Sequence, residues 1–400
     1  MPTPREFAVD VIRALREAGH EALLAGGCVR DEFLGVTPKD YDIATSARPE
    51  QVRRLFRRTV AVGAAFGVVE VLGPHRLLVQ VATFRSDGAY IDGRRPESVV
   101  FCSAEEDAQR RDFTINGMFF DPLDERLIDH VGGRADLQAG ILRAIGDAAA
   151  RLREDRLRML RAVRMAARFR LEIDPATRSA ITAMAPQLED GVSAERIADE
   201  LRKMLVDPHR ARAMQLFMDL GLAAVVLPEL GAMHGLAIVE RLGEKTSFPL
   251  AFAAMLHPVG RHVAGEIALR LKLSTEERER IEWLVENHRT LADAPTMRPA
   301  KLKPLLVHPG INDLMALHRA EGSDLDALAH AVAIRRIWDE AGELNPAPLI
   351  TGNDLLALGL PQGPMYKTLL QRARDAQLDG EITTRDQAIG LVQRILAGQT

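Results

Sequence analysis

Two short runs near the N-terminus combine residue types that bind phosphate and divalent cations. The paired glycines Gly26 and Gly27 leave backbone room for phosphate oxygens, and Arg30 adds a fixed positive fork. Asp40 and Asp42 follow in a segment that reads as extended, where residues i and i+2 point to the same side. Because Mg²⁺ prefers a few carboxylates together with substrate phosphates, these two acids are candidate catalytic residues and metal ligands. The two runs together predict metal-assisted nucleotidyl transfer.

A second run, Arg110-Arg111-Asp112 with Asn116 behind it, suits recognition of a triphosphate and a ribose. Adjacent arginines offer charged donors to phosphate oxygens, and Asp112 can cap a helix. Standing alone, the run is equally compatible with a capped helix that carries surface arginines.

An arginine-rich stretch spans residues 151–170 and contains only two acids, Glu154 and Asp155. Its local field can hold polyphosphate or RNA although the net charge of the chain is −4. If the stretch is helical, Asp155 and Arg158 are neighbours on one surface, three residues apart. The simpler alternative is an ordinary ion pair on a solvated helix.

The order G-G-x-V-R-D, D-x-D, R-R-D-F-T-I-N and E-D-x-x-R resembles that of the class II tRNA nucleotidyltransferases and bacterial poly(A) polymerases, within the polymerase-β-like nucleotidyltransferases. The resemblance is strongest over residues 20–205. It implies that the nucleotide is bound by Gly26, Gly27, Arg30, Arg111, Asp112, Asn116, Asp155, Arg158, Arg161 and Arg164.

In this family the Asp and Arg of E-D-x-x-R, here Asp155 and Arg158, act as a protein template for the base. A carboxylate accepts from the exocyclic amine of cytosine or adenine, while the arginine donates to ring acceptors. Uracil and guanine present a carbonyl at the equivalent place, which faces the carboxylate unfavourably. The pair is therefore expected to select C and A.

The chain departs from the family pattern in two places. Gln80 stands where relatives often carry a Glu, so either a third acid is dispensable or Glu70 on a nearby strand compensates. Pro258 follows His257 where an H-D phosphohydrolase signature has its metal-binding Asp, and we expect no phosphohydrolase activity. The glycine-rich segment 87–96 resembles the flexible loop used in switching from C to A addition, which favours A addition.

The predicted fold class is α+β. A polymerase-β-like nucleotidyltransferase head with a small mixed sheet (1–140) is followed by all-α segments: a neck with the base-selecting helix (141–215), a body with a degenerate H-D-like segment (216–345) and an RNA-binding tail (346–400). Turn signals between the strand-like runs indicate hairpins in the head, and regularly spaced prolines punctuate the helices.

Composition sets the remaining limits. A chain of 400 residues with 47% hydrophobic and 27% charged residues has the length for two to four domains. Two cysteines cannot build a disulfide framework, and we find neither a signal peptide nor a membrane span. A cytoplasmic protein is therefore expected, while the oligomeric state stays open.

The resemblance implies template-independent addition of C and A to the 3′ end of tRNA from CTP and ATP, by a two-metal mechanism in which Asp40 and Asp42 bind two Mg²⁺ ions. Three alternatives remain: a poly(A) polymerase, an A-adding enzyme that works with a separate CC-adding partner, and a catalytically silent RNA-binding protein. The modest C-terminus, without a strongly basic extension, favours the tRNA enzyme over the polymerase.

Overall fold

The computed structural model describes residues 2–60, 67–87, 99–231, 235–322 and 324–398. The chain divides into two compact units, Met1–Gly231 and Ala232–Thr400. The division into head, neck, body and tail at residues 140, 215 and 345 is finer than this and stays a prediction.

The first unit is built on a mixed sheet of seven strands. The strands of this unit are β1 (Ala22–Ala25), β2 (Asp42–Thr45), β3 (Thr59–Val60), β4 (Val68–Leu72), β5 (Leu78–Thr83), β6 (Arg85–Asp87), β7 (Val99–Phe101), β8 (Phe119–Asp121), β9 (Arg126–Ile128), β10 (Ile141–Leu142) and β11 (Glu172–Ile173). The order in the seven-stranded sheet is β3-β4-β5-β2-β1-β8-β9. Strands β2 and β5 are parallel, and the other neighbours in this sheet are antiparallel. The small mixed sheet and the β4–β5 hairpin predicted from the sequence are confirmed.

Eleven helices of the first unit flank or follow this sheet among its described residues. They are α1 (Pro4–Glu17), α2 (Gly27–Phe33), α3 (Pro49–Leu55), α4 (Ala104–Gln109), α5 (Gly133–Ala139), α6 (Ala148–Glu154), α7 (Leu157–Arg168), α8 (Pro175–Met184), α9 (Ala194–Leu205), α10 (Arg210–Asp219) and α11 (Ala223–Val226). Helix α1 carries apolar residues at helical spacing, and its buried Val11, Ile12 and Leu15 belong to the same core as Ile43 and Val81 of the sheet. This packing fixes one face of the sheet and leaves the other face available for a site.

The second unit is helical throughout its described residues. Its helices are α12 (Leu236–Arg241), α13 (Phe248–Leu256), α14 (Gly260–Arg270), α15 (Thr275–Asn287), α16 (Pro299–Val307), α17 (Ile311–Glu321), α18 (Leu325–Glu340), α19 (Gly352–Ala357), α20 (Met365–Leu378) and α21 (Arg385–Leu396). The all-α character expected after the head is confirmed here. In the described parts of the chain, no helix combines the length and the apolar character needed to cross a membrane.

Candidate active site

A cavity of about 600 Å³ lies in the first unit, between one face of the sheet and the helices that follow it. Its floor is formed by Ala44, Ala82 and Val68, which face one another across β2, β5 and β4. Because two of these three side chains are alanines, the sheet leaves space above it. Most of the residues predicted for nucleotide binding line this cavity: Gly26, Gly27, Arg30, Arg111, Asp112, Asn116, Asp155, Arg158 and Arg161.

The paired glycines form the turn between β1 and α2. Gly26 adopts φ +71°, a conformation that strains any residue with a side chain. A Cβ at this position would lie 2.9 Å from Nη1 of Arg111. Glycine is therefore required here both for the backbone conformation and for the close approach of the Arg111 side chain. The sequence did not predict that Arg111 approaches Gly26.

Asp42 is the first residue of β2 and lines the cavity, while Asp40 lies in the bend before the strand and is not among the lining residues. Both side chains are exposed, whereas Tyr41 and Ile43 beside them are buried. The alternation agrees with the prediction that the two carboxylates face the same way. The predicted extended segment from residue 39 is shorter in the structure.

The two acids influence each other electrostatically. Partial desolvation in the cavity raises the pKa of Asp42, Arg111 lowers it, and the charge of Asp40 raises it again. A divalent cation at these oxygens would replace the lost hydration and offset the repulsion between the carboxylates. The donor set, two hard oxygens beside a cationic wall, thus fits a divalent metal ion.

Gln80 lies directly opposite Asp42 in the parallel pairing of β5 with β2, and it also lines the cavity. Glu70 is opposite Gln80 on the other side, in β4. The amide nitrogen of Gln80 lies 3.5 Å from Oε1 of Glu70. Glu70, the acid that the sequence offered as a substitute, is therefore one strand farther from Asp42 than Gln80 is.

Arg110 and Arg111 are held by one buried acid, Asp107. Arg110 donates to its Oδ1 at 2.7 Å and Arg111 to its Oδ2 at 2.9 Å. Burial raises the pKa of Asp107, but the two guanidinium groups outweigh burial and lower it, so the acid stays ionised. Sequence reasoning missed Asp107. This residue lies on α4, three and four residues before the two arginines, and that spacing was a usable signal.

A chain of polar contacts crosses from the sheet side of the cavity to α7. Arg161 donates to Oδ2 of the buried Asp112 at 2.9 and 2.6 Å, and Asn116 donates to Oδ1 of the same carboxylate at 3.0 Å. The side-chain oxygen Oδ1 of Asn116 accepts from Arg30, which also donates to Asp31 and lies over the ring of Phe169. Arg30 is thus buried and engaged with protein groups.

This network holds Asp112 ionised. Burial opposes the charge, but Arg161 and the hydrogen bond from Asn116 hold the pKa of Asp112 well below its usual range. The cation of Arg161 is in turn supported by Asp112. The carboxylate expected near the sugar is therefore also a bridge between two parts of the cavity wall.

The expected placement of Asp155 and Arg158 together on one helix is wrong. Asp155 lies between α6 and α7 with an extended backbone (φ −146°, ψ 103°), and α7 begins at Leu157. Its Oδ1 accepts from the amide of Leu157 at 3.1 Å, so Asp155 satisfies a donor at the start of the helix. Both side chains still line the cavity, so the structure brings the two residues together by another route.

Partners of this pair lie elsewhere in the sequence. Arg196 of α9 donates to Oδ2 of Asp155 at 2.8 Å and itself lines the cavity. Arg158 donates to Glu154 at 2.6 Å and to the carbonyl of Arg151 at 2.8 Å. Arg196, which lies 41 residues from Asp155, gave no signal in the local sequence.

Arg164 is the one predicted nucleotide ligand on α7 that is not among the residues lining the cavity. It donates to the buried Glu200 of α9 at 2.6 Å. Burial raises the pKa of Glu200, but Arg164 and Lys203 together lower it below its usual value, so the contact with Arg164 is a buried ion pair between two helices. The structure gives Arg164 a packing role in place of the predicted contact.

His257 of the second unit has protein partners. Its Nδ1 lies 2.9 Å from the carbonyl of Ala254, and its ring contacts that of His288 with centroids 5.4 Å apart. Within the described ranges, no group of three or more His, Cys, Asp or Glu side chains could hold a metal ion. The absence of phosphohydrolase activity stays a prediction, and most of the loop at 87–96 lies outside the described residues.

Comparison with known proteins identifies the same regions. Residues 22–143 match the family model described as the poly(A) polymerase head domain, and residues 170–233 match a model described as a probable RNA- and SrmB-binding site of polymerase A. The CCA-adding enzyme of Lactobacillus johnsonii is 32% identical over 397 residues, which cover 97% of each chain. Poly(A) polymerase I of Salmonella typhi is 43% identical over 212 residues, covering 50% of this chain and 45% of that one.

The fold is also found in a solved structure of a relative. The crystal structure of the Bacillus stearothermophilus CCA-adding enzyme in complex with CTP covers 100% of this chain and 99% of its own, with a TM-score of 0.82 and 30% sequence identity. Since similarity of sequence and of architecture both extend over nearly the entire length, the chain belongs to the family of CCA-adding enzymes and bacterial poly(A) polymerases and is a nucleotidyltransferase.

Proposed function

We propose that this protein adds C and A nucleotides to the 3′ end of tRNA, without a nucleic-acid template, from CTP and ATP. The observation that carries the proposal is one cavity that is lined by an acid at the start of a strand, Asp42, by Arg111, and by Asp155 and Arg158. We assign Arg111 to the phosphates and the last two residues to the base. These are the groups that a nucleotidyl transfer with selection of the base by protein side chains requires.

Nucleotidyltransferases of this superfamily generally use a divalent metal, and Asp40 and Asp42 would hold it here as Mg²⁺. When bound, the metal supplies activation of the RNA 3′-hydroxyl and neutralisation of charge on the triphosphate. The two carboxylates supply the oxygens and orient them toward the cavity.

Arg110 and Arg111 are suited to hold the triphosphate. Asp107 fixes their guanidinium groups before a ligand arrives, so little side-chain entropy is lost on binding. Gly26 lets the backbone approach the same place without a side chain. The triphosphate is thereby positioned next to Asp42, where the bond to the leaving pyrophosphate breaks.

Asp155 and Arg158 are proposed to select the base. A carboxylate accepts from the amino group that cytosine and adenine share and disfavours the carbonyl of uracil or guanine. Arg196 holds the carboxylate of Asp155 from the opposite side, so its position does not depend on the nucleotide. Arg161 and Asp112 would contact the ribose or phosphate beside the pair.

The RNA is proposed to bind along the helices that follow the head. Residues 170–233, which match the model of an RNA-binding site, belong to the first unit except for the last two, and the second unit would hold the acceptor region of tRNA through phosphate and shape contacts. We place the reaction in the cytoplasm because two cysteines cannot build a disulfide framework.

Poly(A) synthesis is the second candidate. The match to Salmonella typhi poly(A) polymerase I is 43% identical, above the 32% of the Lactobacillus johnsonii enzyme, but it is confined to half of this chain. Residues 22–143, which contribute to the cavity, match the model of the poly(A) polymerase head domain, so the cavity does not separate the two activities and the choice rests on the RNA substrate.

One assay separates the candidates. Purified protein is offered tRNA that ends before CCA, after C and after CC, and an unstructured RNA, with CTP, ATP, UTP and GTP supplied separately. We expect C on the first two tRNAs, A only after CC and no tract on the unstructured RNA. Long A tracts on the unstructured RNA would establish poly(A) synthesis, and failure to add C would identify an A-adding enzyme with a separate partner.

The carboxylates are tested in the same assay. Asp40→Ala and Asp42→Ala should each lower the rate of addition by about a thousandfold or more, because several kcal/mol of charge stabilisation depend on the metal they hold. Glu17→Gln, which removes one exposed charge at the end of α1, serves as the control. Near-normal turnover of both alanine variants would remove this assignment.

A further inference from the structure

Three polar side chains form a row on the cavity face of the sheet. Asp42 in β2, Gln80 in β5 and Glu70 in β4 are direct partners in the register of the three strands. Residues paired in this way project from the same face, and the flanking Ile43, Val79 and Val81 are buried on the other. The inference drawn from this row rests on the function proposed above.

The spacing of strands separates the two neighbours of Asp42 in the row. Adjacent strands lie about 4.8 Å apart, so Gln80 is within reach of a cation bound by Asp42, while Glu70 lies about 10 Å away across two strands. A glutamate at that distance does not replace a ligand directly. Its influence has to pass through Gln80.

The contact between Gln80 and Glu70 fixes the direction of the amide. A carboxylate only accepts, so the end of the amide that faces Glu70 must be the nitrogen, which lies 3.5 Å from Oε1. The carbonyl oxygen of Gln80 is then left for the opposite side, where Asp42 lies. An amide oxygen is a hard, uncharged ligand of the kind that divalent cations accept in proteins.

We propose that Gln80 is a third, neutral ligand of the cation held by Asp42 and that Glu70 is a positioning residue, which keeps the oxygen of Gln80 turned toward the metal. This arrangement explains how the site functions without an acid at position 80. It also keeps the negative charge of Glu70 one strand away from the site. The cation is then bound by two carboxylates, those of Asp40 and Asp42, and by the neutral amide of Gln80.

The test measures cation binding without nucleotide or RNA. Binding of Mn²⁺ to the full-length protein is followed by the electron paramagnetic resonance signal of the unbound ion. Gln80→Leu removes the oxygen, and Glu70→Leu leaves the oxygen without its orienting partner. We expect each to raise the Kd for Mn²⁺ about tenfold, the usual lower range for loss of an orienting partner.

The reciprocal exchange gives the sharper result. Gln80→Glu alone adds a charged ligand but places two carboxylates directly opposite each other, which is unfavourable. Combined with Glu70→Gln, the same change restores a donor opposite the acid. The double variant should therefore bind Mn²⁺ more tightly than Gln80→Glu alone and more tightly than the natural protein.

Controls distinguish failure of this proposal from failure of the function it rests on. Glu17→Gln should leave the Kd unchanged, and thermal unfolding of every variant reports whether the fold is intact. If Asp42→Asn weakens Mn²⁺ binding while Gln80→Leu and Glu70→Leu bind as the natural protein does, the role of Gln80 is wrong and the metal site stands. If Asp42→Asn also binds normally, the metal site itself is wrong.

Discussion

At the scale of single residues, the cavity is assembled from side chains that are held in place before substrate arrives. Asp107 fixes two arginines, and Arg196 fixes the carboxylate of Asp155. Arg196 itself lines the cavity, whereas Asp107 is not among the lining residues. Substitutions that remove a support should therefore change affinity or selectivity before they change the fold.

The base-reading role of Asp155 predicts a loss of selectivity. Asp155→Ala removes the acceptor for the amino group of C and A, so discrimination against UTP and GTP should fall by about tenfold to a hundredfold, the usual value of one lost base contact. The ratio of kcat/KM for CTP and UTP on tRNA ending before CCA measures it. Arg164→Lys, outside the lining of the cavity, is the matched control and should keep the natural ratio.

A comparison of Gly26 with Gly35 separates the effect of backbone strain from the effect of a steric clash with Arg111. Gly26 and Gly35 have nearly the same φ, +71° and +70°, but an added Cβ meets Arg111 only at Gly26 and open space at Gly35. Both alanine variants should lose about 1 kcal/mol of unfolding free energy from the positive φ. Only Gly26→Ala should also weaken ATP binding, measured by calorimetry. Equal ATP affinity in the two variants would contradict the role given to this glycine.

At the scale of elements, the polar chain through Arg161, Asp112, Asn116 and Arg30 joins α7 to the segment before β8 and to α2. The folded-state pKa of Asp112 is depressed, so its ionisation stabilises the folded state above the unfolded pKa of about 3.9 and that stabilisation is lost as pH falls through the folded value. Acid should loosen this connection.

Asp112→Asn tests this connection through its pH dependence. At pH 7 the substitution should lower the unfolding free energy by about 2 kcal/mol. This is less than the full cost of breaking a buried ion pair, because the Arg161 side chain is 35% exposed. Below about pH 4 the difference between the natural protein and the variant should shrink, because Asp112 of the natural protein takes up a proton in the unfolded state before it does so in the folded state. Urea unfolding at pH 7, 5 and 3.5 measures both, and a constant difference would contradict the assignment.

The sequence predicted the helices and strands better than the breaks and contacts between them. The mixed sheet, the carboxylates at the start of β2 and the helical remainder follow from local patterns and from the family resemblance. Asp155 was misplaced because a helical pattern does not reveal a two-residue break between α6 and α7. Arg164 was assigned to the nucleotide although each three-residue step falls about 60° short of a turn, which carries it away from Arg158 and toward α9. Arg196 became visible only when tertiary packing brought α9 to the cavity.

At the scale of the whole molecule, every described residue that lines the cavity belongs to the first of the two compact units. We therefore expect nucleotide recognition to be complete without the second unit. The match to the poly(A) polymerase covers half of this chain, and the model of the polymerase head domain matches residues 22–143 of the first unit, which is consistent with a division between chemistry and choice of RNA.

A fragment that ends at Gly231 tests this division. It should bind CTP and ATP with a Kd within about twofold of that of the full chain, because no lining residue is removed. Its KM for tRNA should rise, since the proposed phosphate contacts of the second unit are gone. Calorimetry and single-nucleotide addition measure the two effects. Loss of CTP affinity in a folded fragment would show that the second unit contributes to the cavity.

The double anchoring of Asp155 has a consequence for the order of addition. Arg196 and the amide of Leu157 each hold one oxygen of its carboxylate, so the proposed acceptor stays in one place while nucleotides exchange. A pyrimidine and a purine hold their amino groups at different distances from the sugar. With a stationary acceptor, it is the sugar of the incoming nucleotide that has to shift when the added letter changes from C to A.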